Sequence, residues 1–179
     1  VGLFITFGVL SFIGGYLFSR LMKKSQTSNV TAGICERDER FVSVCTKVID
    51  NAQLSLSVLE GITHHWRETQ NDRDALSVRL NVYLREAKSS LQTLEVNNGM
   101  IEIGMKDISK LAQQYQEAYD ALMRMYEVYR ELYAMGIAPQ SDMADFDQKV
   151  QMLKSRFGVL EEELIQYIPS LKEKILKDV

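Results

Sequence analysis

Proline is almost missing from this chain: in 179 residues only Pro139 and Pro169 occur. Proline is the residue that most reliably stops a helix, so its scarcity leaves long helices permitted over most of the length. Cysteine is equally scarce. Cys35 and Cys45 lie about 15 Å apart if both sit on one helix, beyond the roughly 7 Å reach of a disulfide. A disulfide framework is therefore excluded, and two free thiols fit a reducing compartment. The two histidines are neighbours, His64 and His65, and adjacent helical side chains diverge by about 100°, so they do not chelate together. Glu60 lies one turn before His64, but zinc needs three or four ligands and di-iron bundles draw Glu-x-x-His pairs from two helices. No metal and no cofactor are expected. A net charge of -3 gives no basic footprint for nucleic acid. Glycine-rich phosphate loops, nucleophile elbows and cysteine-histidine ligand spacings are all absent, so neither an enzyme nor a small-molecule substrate is expected.

What is present begins with an apolar opening. Residues 1–19 carry no charge, and about 19 residues of helix span about 28 Å, close to the ~30 Å of a bilayer's hydrocarbon core. A secretory signal would place its charge before the apolar run and a cleavage site after it. Here Arg20, Lys23 and Lys24 follow the run, which reads as a transmembrane helix over 1–22 with its carboxyl end in the cytoplasm. The sequence opens on Val1 rather than methionine, and residues upstream would be able to reverse that bias. Gly8, Ser11, Gly15 and Ser19 share a face on which two membrane helices would approach closely. Residues 23–35 are basic, then small and polar, and read as a juxtamembrane linker. The glycosylation acceptor Asn29-Val30-Thr31 would go unused in that topology.

From Phe41 onward apolar residues recur at alternating steps of four and three through Val48, Leu59, Trp66, Leu80 and Leu94, with polar lapses at Ser55, Thr69, Arg73 and Ser90. That is a heptad seam, weakest at Gln70–Asp74. Asn97-Asn98-Gly99 tolerates left-handed backbone and predicts a turn over Val96–Met100. A second seam runs from Ile101 to Tyr133 and ends at Gly136 and Pro139. Ser141 suits a cap for a third seam, with Asp142 and Asp145 near its positive end. Pro169 interrupts the third seam near its end. The predicted fold is all-α: a transmembrane helix, then an elongated antiparallel three-helix coiled-coil domain over 36–179, with helices at about 36–96, 100–135 and 141–177.

Helices of those lengths would reach about 90 Å for the first and roughly 55 Å for the others. The shorter hairpin then leaves Phe41, Val44, Val48 and Ile49 uncovered near the membrane, a stalk interface for another copy or another protein. Tyr115, Tyr119, Tyr126, Tyr129 and Tyr133 line one face of the second helix, either as core or as a partner surface. Glu161–Glu163 reads as a solvated face. The functional expectation is a single-pass membrane protein acting as a structural or adaptor subunit. Its expected partners are the lipid bilayer and either itself, as a homo-oligomer, or another protein of a membrane complex. The alternative is an oligomeric pore lined by the opening helices, disfavoured because Thr6, Ser11 and Ser19 are the only polar residues there to line it.

Overall fold

The computed structural model describes residues 38–68, 73–138 and 143–175. The expected membrane helix at 1–22, with Gly8, Ser11, Gly15 and Ser19, lies outside the described residues, as do the linker at 23–35 and the cap position Ser141. No helix among the described residues is long and apolar enough to cross a membrane.

Asp38 starts the first helix. Its Oδ1 accepts hydrogen bonds from the backbone N–H groups of Arg40 (3.1 Å) and Phe41 (3.3 Å), two of the donors that a helix start leaves unpaired. The Arg40 guanidinium reaches the same carboxylate at 3.1 Å and holds it below the usual range for an aspartate. The helix that follows, α1 (Glu39–Glu68), has 30 residues, about 45 Å, half the length expected of a helix over 36–96.

The chain then reverses. A second arm, α2 (Arg73–Glu86) and α3 (Lys88–Ile108), runs back along the whole of α1. Arg79 pairs with Glu68, Tyr83 packs at a tilt against His65, Asn97 bonds Asn51, and Gly104 lies against Val44, so the second arm descends as α1 ascends. Ala87 separates the two helices only nominally. Ala87 N–H still donates to Tyr83 O at 2.8 Å and Leu91 N–H to Ala87 O at 2.9 Å, which keeps the arm continuous.

The turn predicted at Val96–Met100 does not exist: α3 passes straight through it, and no described residue has positive φ. The reversal comes later, through a 3₁₀ turn at Ser109–Leu111 and the non-helical Tyr115. The expected helix at 100–135 is therefore divided between the end of α3 and α4 (Gln116–Ile137), which retains Gly136 inside it. In place of a single helix at 141–177, α5 (Met143–Tyr167) stops before Pro169, and a short α6 (Ser170–Ile175) follows. The described residues thus form an up-down-up-down helical bundle of four arms rather than three helices, with no strand among them.

α1 touches every one of α2 to α5, and α4 lies between α1 and α5. The α1–α5 contact is pinned at regular intervals: Gln53 to Glu161, Glu60 to Lys154 and Arg67 to Asp147, seven residues apart on each helix. Surface pairs of this kind contribute little to stability, roughly 0–1 kcal/mol each, but a one-turn slip would break all three together. Between the arms, Leu59, Ile62, Leu122, Met125, Leu153 and Leu164 are sealed from solvent.

This arrangement corrects the stalk. Phe41, Val44, Val48 and Ile49 are buried, none more than 6 % exposed. Phe41 meets the Tyr115 ring edge-on at 5.5 Å, and Val44 fills the space beside Gly104, where an added Cβ would stand 2.7 Å from its Cγ2. Two shorter arms folded back on each other cover the base of α1, which one 90 Å helix would have left bare.

Candidate functional site

The most connected polar group in the bundle is a cluster on its axis. Asn51 of α1 is fully buried, and its Nδ2 donates to the hydroxyl of Tyr129 (2.9 Å) and to the carbonyl of Leu94 (3.3 Å). Asn97 Nδ2 donates to Asn51 Oδ1 at 3.2 Å, and the Tyr129 hydroxyl donates to Asn98 Oδ1 at 2.8 Å. Three arms therefore share one hydrogen-bond network, each buried polar atom compensating another's loss of water. Ser55 and Thr63, also buried, turn their hydroxyls to the carbonyls of Asn51 and Leu59 one turn back.

Chemically this cluster is quiet. Burial pushes the Tyr129 phenol up to about 12, only partly offset by its bond from Asn51, so at neutral pH it stays protonated. Its partners are amides, which neither take nor give protons. Nothing here acts as acid, base or nucleophile, and among the described residues no three His, Cys, Asp or Glu side chains gather to hold a metal ion. His64 faces solvent 3.4 Å from Glu68, and His65 packs on Tyr83 with ring centres 5.0 Å apart.

The five tyrosines do not form one exposed surface. Tyr115 and Tyr129 are core, whereas Tyr119, Tyr126 and Tyr133 are half-buried. Tyr119 and Tyr126 line a groove of about 390 Å³ between α3 and α4, with Met105, Met123, Glu102 and Arg130. Burial raises the Tyr126 phenol above its ordinary value. The groove mixes both charges with apolar side chains and directs no convergent polar set at one point, as a small-molecule site would.

A third feature lies outside the seams read from the sequence. Val78, Val82, Val96, Met100 and Ile103 are exposed on the outer side of the α2–α3 arm, Val96 and Ile103 at 64 % each. At 100° per residue these five positions fall within about 60° of arc, a stripe pointing away from α1. The signal is in the sequence: Val82, Val96 and Ile103 stand at multiples of seven, out of phase with the inward seam through the partly buried Leu80 and the buried Leu94. It was hidden because one heptad seam already accounted for the helix. Comparisons with family models, with curated proteins and with solved structures gave no match for this chain.

Proposed function

We propose that this chain is a membrane-tethered adaptor or structural subunit whose helical bundle presents the outer face of α2–α3 to a protein partner. One observation carries the reading: the described bundle seals its own core yet leaves five large apolar side chains aligned on one arm. Scattered exposed apolar residues are ordinary, whereas an aligned patch marks an interaction surface. The uncharged residues 1–19 supply the tether in this reading, and Arg20, Lys23 and Lys24 set the bundle on the cytoplasmic side.

Two measurements test it. Alkaline carbonate extraction of native membranes should leave the protein in the pellet; release into the supernatant would remove the tether. A photo-crosslinking residue at Met100 should give a product of higher mass in those membranes, with none from the outward position Gln151 on α5. Equal yields from both positions, or none from Met100, would remove the contact surface.

A further inference from the structure

We propose that the partner seated on the α2–α3 stripe is a second copy of the same chain, its α2–α3 arm running antiparallel about a two-fold axis near residues 90–91. This rests on the reading that the arm's outer face is a contact surface.

The stripe is self-complementary when turned end for end. About a midpoint between residues 90 and 91, Val78 falls opposite Ile103 of the other copy and Val82 opposite Gly99. Arg85 falls opposite Val96, so its aliphatic stem covers the valine while its charge stays wet, and Ser89 meets Gln92. A two-fold makes every such contact twice, the geometry of an isologous dimer. The apolar layers come at the two ends and the polar layer of Ser89 and Gln92 at the axis, where a slip of one heptad would set Gln92 against valine.

Two details of the arm have no explanation inside one chain and acquire one in the pair. Gly99 sits in mid-helix, where glycine is less favourable than alanine, and a Cβ added there would meet nothing within 4 Å. Opposite Val82 of a second copy, its bare backbone provides the recess that the valine fills. Lys88 and Glu95 flank the stripe on one side, two turns apart and too distant to pair with each other, and neither makes an ion pair among the described residues. In the antiparallel dimer Lys88 faces Glu95 of the other copy, and the two-fold repeats the pair. Charges flanking an apolar seam set orientation and partner choice in this way.

The test is the mass of the full chain in detergent, by light scattering and sedimentation equilibrium, with circular dichroism as the check on folding. The wild type should be a dimer. Ile103→Glu and Val82→Glu, both at exposed positions, should keep the helical signal and weaken the dimer by about 100-fold, since the first sets a charge against Val78 and the second drives one into the dry recess at Gly99, each at two places. Lys88→Glu and Glu95→Lys should each weaken it by roughly tenfold, and the two together in one chain should restore it. A monomeric wild type overturns the second copy, while a heavier product from Met100 in native membranes would still leave the surface to a different protein. A dimer untouched by Ile103→Glu is held elsewhere, and absence of rescue in the double charge exchange overturns the antiparallel register.

Discussion

The side-chain amide of Asn51 donates to the hydroxyl of Tyr129 at 2.9 Å across the axis of the bundle, from the first arm to the third. Among leucines and valines such a bond sets position more than it adds strength. Each polar group is satisfied only in one register, and any slip would strand an amide or a phenol in an apolar layer. Tyr129→Phe leaves Asn51 Nδ2 with only the longer bond to Leu94 O and strips Asn98 Oδ1 of its donor. It should cost about 1–3 kcal/mol in denaturant unfolding, and Asn51→Ala a similar amount. Because both truncations break the same bond, the double variant should lose less than the sum, by at least ~0.5 kcal/mol. Strict additivity would show that the two residues act separately.

The same network makes the bundle sensitive to alkali. Burial raises the Tyr129 phenol to about 12 from an ordinary 10.0, the Asn51 bond opposing it weakly, and burial raises Tyr83, Tyr126, Tyr133 and Tyr167 as well. Between those values the unfolded chain has given up protons that the folded chain still holds. Stability should thus be intact below about pH 10 and fall as the pH rises towards 12, by up to ~1.4 kcal/mol per pH unit for Tyr129, with the other raised phenols acting in the same direction. Melting temperatures from pH 8 upward, in the wild type and in Tyr129→Phe, check this. The variant should start lower and decline less steeply, and parallel declines would absolve Tyr129.

The buried seam was legible in the sequence: Phe41, Cys45, Val48, Ala52, Leu59, Ile62 and Trp66 are all core residues of α1. The points of reversal were not. The seam keeps its three-four rhythm from Trp66 through Thr69, Arg73 and Leu76, so the interval between α1 and α2 leaves the heptad in phase and one helix appears where there are two arms. Asn97-Asn98-Gly99 misled in the other direction. Local propensity favours a turn there, but the two asparagines are held in α3 by Asn51 and Tyr129, residues 46 and 31 positions away. Such partners are invisible to a rule that reads neighbours. The covered base of α1 has the same cause, since two arms of about 45 Å and 50 Å pack along each other where a single helix of about 90 Å would outreach its hairpin.

Three glycines at helical positions separate packing from propensity. A Cβ on Gly61 would fall 2.1 Å from the Tyr83 hydroxyl oxygen, which donates to Val58 O at 3.1 Å, and one on Gly104 would fall 2.7 Å from Val44 Cγ2. Gly158, by contrast, has nothing within 4 Å. Gly61→Ala must push aside a ring anchored by its hydrogen bond, so it should destabilise by about 1–2 kcal/mol despite alanine's better helix propensity. Gly158→Ala should stabilise by roughly 0.5–1 kcal/mol. Thermal unfolding of the two variants side by side decides the matter, and the same sign for both would show that the Tyr83 contact does not constrain α1 against α2.

Phe41 and Ile103 put the inner and outer apolar sets in opposition. Phe41 is fully buried against Tyr115, so Phe41→Ala should open a cavity and cost about 3–5 kcal/mol in unfolding free energy. Ile103→Glu, at a side chain mostly in water, should change stability by less than about 0.5 kcal/mol. Association should respond in reverse order: under conditions where both variants remain folded, Phe41→Ala should self-associate like the wild type, whereas Ile103→Glu should not. Had the base of α1 been an open stalk, Phe41→Ala would have spared the fold and abolished association. A denaturant titration and a mass measurement on the same two preparations distinguish the two geometries, because each assigns the loss to a different residue.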